Sequence, residues 1–303
     1  MGSLHTQRIS NLRDIKVLHI EPTDVCQAAC PLCDRETDPE FNKNLQHHLT
    51  MDQISAIVSD QQIRELDKMF MCGQYGDPAA GKYTMEIYQY FRSVNPTITL
   101  GMNTNGALQN RSWWYDLGKL FNKSEDYVVF SIDGLADTNH IYRRNVDWTK
   151  LMNNIRGYIS AGGSAHWDML VYGYNEHQVD ECEQLARDIG FTWFRAKVSK
   201  RGSFDSQLQP ATGWQPPVSA QGPINCYALD ESSAYIDAQG RMSPCCWLAG
   251  RKFIPEDQFN NIQQTWNTNT PNTTCKATCS GSTTTPFTSQ WQREKSLNSH
   301  QKA

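Results

Sequence analysis

The residues best suited to chemistry are three cysteines within eight positions, Cys26-Gln27-Ala28-Ala29-Cys30-Pro31-Leu32-Cys33. Three thiolates on one loop can hold three corners of an iron–sulfur cube and leave the fourth iron open. An open iron can bind and activate a second molecule, whereas a fourth protein ligand closes the site. Zinc is the rival occupant, but zinc sites usually pair C-x-x-C with a second pair or with His, and none lies nearby. A second set stands far along the chain. Cys226, Cys245, Cys275 and Cys279 supply four thiolates, which suit a closed iron–sulfur cluster or a structural zinc ion alike. Cys72 and Cys182 read as core residues, one ending an apolar run and the other on an apolar helix face.

These ligands need elements to position them. The first loop follows directly on Val17-Leu18-His19-Ile20, an apolar run that reads as a strand ending at Pro22. Loops at the carboxyl ends of strands are where α/β folds place ligands. Further strands are read at Lys68 to Cys72, Thr97 to Met102, Tyr127 to Ile132, Trp167 to Tyr172 and Phe191 to Val198. Helical patterns separate them. Thr50 and Gln53 form a capping box ahead of Ile54, Ile57 and Val58. Ile87, Tyr90, Phe91 and Val94 share one face, as do Trp113, Leu117, Leu120 and Phe121. A helix from about Asp147 carries Leu151, Ile155, Tyr158 and Ile159 and stops at Gly162-Gly163; Val179, Cys182, Ala186 and Ile189 mark another. Six strands alternating with five helices predict an α/β fold with a parallel sheet and right-handed crossovers. Eight such units close a barrel, so six predict an open, partial (β/α)6 barrel over residues 1–201, short N-terminal extension included.

From Gly202 to Pro223 the composition turns to Gly, Pro, Ser and Gln, as in a linker or covering loop. The segment 202–303 then holds a hairpin: Ala234-Tyr235-Ile236, a turn at Asp237 to Gly240, and Arg241-Met242. It delivers Pro244-Cys245-Cys246. Ile262 to Trp266 suits one or two helical turns ahead of Cys275 and Cys279, and a polar tail ends the chain. Apolar residues are too few here for an independent core, so a metal is expected to staple this small domain.

Hydrophobic residues at 39% allow a packed core, and a net charge of −4 gives no electrostatic case for nucleic acid or an anionic membrane as partner. No apolar run approaches the length of a transmembrane helix, and Met1 to Lys16 lacks the apolar centre of a signal peptide, which predicts a cytoplasmic protein. In a reducing compartment, clustered cysteines favour metal over disulfide.

The spacing of Cys26, Cys30 and Cys33 after a first strand resembles the signature of the radical S-adenosylmethionine (SAM) superfamily. That resemblance implies a [4Fe–4S] cluster on these three residues, with SAM chelating the open iron. Leu32 stands where relatives often carry an aromatic residue, at a position whose backbone contacts adenine. Tyr75-Gly76-Asp77-Pro78 is similar to the Gly-Gly-Glu-Pro element that receives the SAM amino group, which assigns Gly76 and, with a shorter reach than Glu, Asp77. Ser131 and Arg143 match the strand-end Ser and downstream Arg that hold SAM ribose and carboxylate in SPASM-type members. Asn105 is a further ribose candidate, and Phe194 on the sixth strand an adenine contact. Taken singly, Asn105-Gly106 and Asp133-Gly134 are ordinary turn pairs, and Arg143 beside Arg144 is ordinary surface charge. Their recurrence in order after successive strands favours a cofactor site.

The hairpin with Gly240 ahead of Pro244-Cys245, then Asn261-Ile262 and Trp266, resembles the SPASM/twitch extension, whose short form carries one auxiliary [4Fe–4S] cluster. The resemblance assigns Cys226, Cys245, Cys275 and Cys279 as its ligands, with Cys245 rather than Cys246 because it follows the proline. By count alone, zinc stays open. In sulfatase maturases the next residue is an Asp acting as base; here it is Cys246, and no base is carried over.

Such an enzyme takes one electron from a donor such as flavodoxin or ferredoxin and splits SAM into methionine and a 5′-deoxyadenosyl radical. The radical removes a hydrogen atom from substrate, and an auxiliary cluster accepts the next electron, which suits an oxidation or a cross-link. A peptide or protein side chain is the first substrate class the resemblance implies, since most SPASM-type relatives modify polypeptides. The compact cysteine spacing favours an alternative, dehydrogenation of a sugar or aminocyclitol alcohol. About sixteen residues precede the first strand, so no separate leader-peptide-binding domain is expected. A third class, an iron–sulfur sensor without turnover, needs no series of SAM contacts.

Overall fold

Near-continuous apolar runs such as Met69-Phe70-Met71 and Tyr127-Val128-Val129-Phe130 call for parallel strands buried on both faces, and the structure, a computed structural model, builds them. It describes residues 15–37, 44–199, 208–215, 222–248 and 272–281. The strands are β1 (Val17–Ile20), β2 (Lys68–Cys72), β3 (Thr99–Thr104), β4 (Tyr127–Ser131), β5 (Ala165–Val171) and β6 (Trp193–Val198). They lie side by side in chain order, and each neighbouring pair is parallel. This is the open sheet that six βα units predict.

Leu18, Met69, Leu100, Val128, Phe130 and Trp167 belong to the main core, which the helices cover. The opposite face carries aromatic and ionisable side chains. The His19 ring stacks on Phe70 at 4.4 Å and Tyr127 on His166 at 5.4 Å, while Lys68 Nζ lies 4.6 Å from the Tyr127 ring centre. Burial disfavours charge here, taking His19 down to about 4, His166 to about 3 and Lys68 to about 8.

Most helices start where the capping signals place them. The Thr50–Gln53 box opens Met51–Ile57, but Val58 is extended, and a second box, Ser59 with Gln62, opens Asp60–Glu65. The predicted face thus ends one residue early, at Ile57, and the second short helix is not among those predicted. Thr84–Val94 buries Ile87, Tyr88 and Phe91, and Arg111–Leu120 buries Trp114 and Leu117. Asp147 caps Trp148–Ser160, and Val179–Ile189 ends at Gly190. The third strand begins two residues later than predicted. Asn95 accepts the Thr97 N–H and hydroxyl and donates to the carbonyls of Ile63 and Leu66, which holds this approach as a turn. The ladder instead runs on through Asn103 and Thr104, paired with Cys72 and Phe130.

The C-terminal hairpin is present, but it does not stand apart. β7 (Ser233–Ile236) pairs in parallel with β1, Leu18 opposite Ala234 and Ile20 opposite Ile236. β8 (Met242–Ser243) then pairs antiparallel with β7. Ala234 and Ile236 enter the main core. The hairpin therefore borrows the barrel's core, and the expected metal staple concerns only the cysteine-bearing chain around it. There, Leu248 and Cys275 form a small cluster with Ile224 and Cys245. Within the expected linker, Leu208 and Ala211 are buried in the main core. The readings of 1–14, of Asn261 and Ile262 to Trp266, and of the tail beyond 281 lie outside the described residues. Among the described residues, no helix is long and apolar enough to cross a membrane.

Candidate active site

One cavity of about 790 Å³, open to solvent, collects most of the residues that the sequence marks for chemistry. Cys26, Cys30 and Cys33 line it, together with Gly76, Asp77, Asn105, Ser131 and Arg143. Cys72, Asn103 and Ser131, at or near the carboxyl ends of β2, β3 and β4, put it where a parallel sheet presents its loops.

The cysteine loop is pinned on both sides. Ala29 N–H donates to the Arg144 carbonyl at 3.1 Å, Cys33 N–H to the Cys30 carbonyl at 2.9 Å, and Arg35 Nη1 to the Asp24 carbonyl at 2.7 Å. Polar hydrogens approach two of the sulfurs: Asn105 Nδ2 is 3.7 Å from Cys26 Sγ, and Arg143 Nη1 is 4.0 Å from Cys30 Sγ. Gln27 pairs with the Asn105 amide at 2.7 Å and 3.3 Å, which fixes that approach. Burial pushes the Cys26 thiol up to about 12 and raises Cys30 too, so a metal must displace protons to bind. The three thiols spread along the cavity wall. Among the described residues, no three His, Cys, Asp or Glu side chains converge on a single-ion centre. Three soft donors beside open, polar space fit a cubane cluster with one free corner.

Asp77 is buried and already occupied. Its carboxylate accepts from Ala79 N–H at 2.9 Å, Thr104 hydroxyl at 2.8 Å and Asn105 N–H at 2.7 Å, tying the loop after β2 to the end of β3. Gly76 is needed for close approach, since a Cβ there would lie 1.9 Å from the Thr23 carbonyl oxygen. Arg143 is aimed by Asp133, which accepts from its Nε at 2.6 Å and takes the Leu170 N–H at 2.7 Å on its other oxygen. In the sequence Asp133 is legible only as a turn former. The signal for its part as an anchor is a carboxylate just past a buried strand, ten residues before an arginine.

Two assigned residues do not line the cavity. Leu32 packs its side chain against the core. Phe194 is the second residue of β6, its ring 5.9 Å from Trp167, near the strand end remote from the loops.

The four C-terminal cysteines line a second, smaller cavity. Cys226, Cys245, Cys275 and Cys279 line it with Tyr227 and Trp247. Cys275 and Cys279 share one face of Thr273–Cys279, whose first turn Asn272 caps. Asn225 N–H donates to the Cys279 carbonyl at 3.1 Å, which closes the segment on itself. Cys246 is not among the lining residues; its Sγ lies 3.8 Å from the Tyr227 hydroxyl.

Comparisons with known proteins bear on the family and the fold. A family model described as the radical SAM superfamily matches residues 20–189. SuiB of Streptococcus suis bound to S-adenosylmethionine has a similar fold, with TM-score 0.57, 12% identity, and coverage of 87% of this chain and 69% of that one. A histidine-tagged anSMEcpe with bound AdoMet gives 0.57 at 14% identity, covering 84% and 78%. SuiB bound to precursor peptide SuiA gives 0.56 at 12% identity, covering 88% and 68%. Such identities speak for the fold alone. No curated protein matches the chain.

Proposed function

The chain belongs to the radical SAM superfamily, and from that premise we propose an enzyme that oxidises or cross-links a peptide or protein side chain. Members bind SAM and a [4Fe–4S] cluster. The observation that carries the proposal is the single cavity where Cys26, Cys30 and Cys33 meet Gly76, Ser131 and Arg143. When bound, the cluster supplies the electron, received from a donor such as flavodoxin or ferredoxin, that cleaves SAM to a 5′-deoxyadenosyl radical. The chain's own residues hold and orient the reactants. Asn105 and Arg143 place polar hydrogens near two sulfurs and favour their thiolate form. Arg143, steadied by Asp133, offers its guanidinium to the SAM carboxylate, and Ser131 its hydroxyl to the ribose. The loop at Gly76 receives the ammonium through backbone carbonyls, with Asp77 holding that loop. Leu32 contributes its backbone to adenine, and the position of Phe194 argues against a part for its ring.

Cys226, Cys245, Cys275 and Cys279 are assigned to an auxiliary [4Fe–4S] cluster in a twitch-like extension, supported by their gathering around one cavity. That group would supply an electron acceptor, and zinc is the competing occupant. The peptide class is supported by fold neighbours solved with peptides, SuiB with SuiA and anSMEcpe with the Cp18Cys peptide. Dehydrogenation of a sugar or aminocyclitol alcohol is the second reading, favoured by the compactness of the four-cysteine unit.

Anaerobic reconstitution tests the whole assignment. About eight irons per chain, and 5′-deoxyadenosine on adding SAM and dithionite, are expected from two cubanes. About four irons with one zinc would remove the auxiliary acceptor. Absence of SAM cleavage by fully loaded protein would overturn the catalytic proposal.

A further inference from the structure

Glu21, which directly follows β1, is not among the groups assigned to SAM or to either cluster. It is 1% exposed, and a buried carboxyl group must be fully bonded to be tolerated. Its Oε1 accepts the N–H of Tyr75 at 2.7 Å and of Gly76 at 3.0 Å. Its Oε2 accepts the hydroxyl of Tyr235, which β7 carries. One carboxyl group thus joins the first strand, the loop after β2 and the added hairpin.

The backbone consequence is specific. In a trans peptide the N–H and the preceding C=O point to opposite sides. With the N–H groups of Tyr75 and Gly76 drawn to Glu21, the carbonyls of Gln74 and Tyr75 turn away from it, and both residues line the cavity. Asp77 N–H is spent on the Val25 carbonyl at 2.9 Å, so three successive N–H groups of this loop face the chain at 21–25. What remains on the other side is acceptor oxygen. The Asp77 carboxylate already serves three protein donors, so the carbonyls turned away from Glu21 are the better-placed acceptors on this loop for an incoming cation.

We propose that Glu21 is a positioning residue for the cofactor loop: it aims the carbonyls of Gln74 and Tyr75 at the SAM ammonium, and Tyr235 of the hairpin holds its carboxyl group for that task. This rests on the assignment of the Gly76 loop as ammonium receiver. The hairpin then has two duties, delivering Cys245 and steadying the methionine end of the other site, so loss of its docking should be felt as weaker SAM binding.

The test uses full-length, cluster-loaded protein and measures dissociation constants for SAM and for a desamino analogue, by equilibrium dialysis without reductant. Glu21→Ala is expected to weaken SAM binding at least tenfold while leaving the analogue within about twofold. Glu21→Gln keeps an oxygen for both N–H groups and should stay within about threefold of wild type. Tyr235→Phe removes only the outer anchor and should show the same selective loss at about threefold to tenfold. Equal weakening of both ligands, or unchanged SAM binding in Glu21→Ala, overturns the positioning role. If Glu21→Ala takes up no iron, Tyr235→Phe decides by the same criterion. A wild-type protein that does not prefer SAM to the analogue would instead overturn the ammonium assignment beneath the proposal.

Discussion

The two cysteine cavities are made of the same donor and differ in everything around it. The first takes three thiols from the single loop after β1, and its wall continues as Asp77, Asn103, Thr104, Ser131 and Arg143. The second rings four thiols with Ile224, Tyr227, Pro244, Trp247 and Leu248. Incomplete ligation beside polar, open space suits a group that must take a second molecule. Complete ligation among apolar and aromatic side chains suits a group that only holds and passes charge. The proposed division into a reactive centre and an accessory one rests on this contrast in lining.

The sharpest way to break that contrast is to remove one thiol from each side. Replacing Cys26, Cys30 or Cys33 with Ala should abolish 5′-deoxyadenosine formation, by about a thousandfold or more, while about four irons stay bound. Replacing Cys226 or Cys275 with Ala should do the opposite: about four irons are lost, and SAM cleavage without substrate falls less than about tenfold. Equal effects from both sets, read by product chromatography and iron analysis, would dissolve the distinction.

The polar wall gives the next largest effect. Arg143→Lys keeps the charge but loses the planar fork, and Asp133→Asn loses the anion that aims it. Each should weaken SAM binding about tenfold, roughly 1.4 kcal/mol, with iron content unchanged.

A third effect concerns the barrel interior and is set by acid. Burial holds His166 neutral, its pKa lowered to about 3 against an ordinary value of 6.5. The unfolded chain therefore takes up this proton first. Stability is fully present above pH 6.5 and declines as pH falls, by about 1.4 kcal/mol per unit for one such imidazole. His166→Phe should flatten the fall in melting temperature between about pH 6 and about pH 5, as differential scanning fluorimetry would show. The smallest effect belongs to Cys246. Cys246→Ser should leave iron content unchanged where Cys245→Ala does not, since only Cys245 lines the second cavity.

Local signals made most of the sheet readable. Every strand of the barrel and most helices follow from periodicity and caps, because neighbours along the chain decide them. Pairing between distant segments did not show. β3 runs past its predicted end because Asn103 finds Cys72, and the hairpin leaves its expected small domain because β7 finds β1. The site shows the same division. Cysteine spacing marked the residues that line the two cavities, since a cluster of one residue type is visible in the sequence itself. Glu21 and Asp133 were invisible as anchors, because a carboxylate at a strand end looks like a turn residue until its partners, Gly76 and Arg143, are brought to it in space. Phe194 lies off the cavity for the converse reason, as its residue type suits a ring contact but it stands second in its strand.

The pairing of β7 with β1 also bears on how the chain is made. β1 is the first strand to leave the ribosome among the described residues, yet its second neighbour, Ser233–Ile236, emerges some two hundred residues later. Throughout that interval one edge of the nascent sheet is bare, with Leu18 and Ile20 beside unpaired peptide groups, and such an edge invites pairing with another chain. A message truncated before Ser233 would thus yield more than an enzyme lacking its second cavity. It would leave β1 as an unpaired edge strand, a template for pairing with another chain.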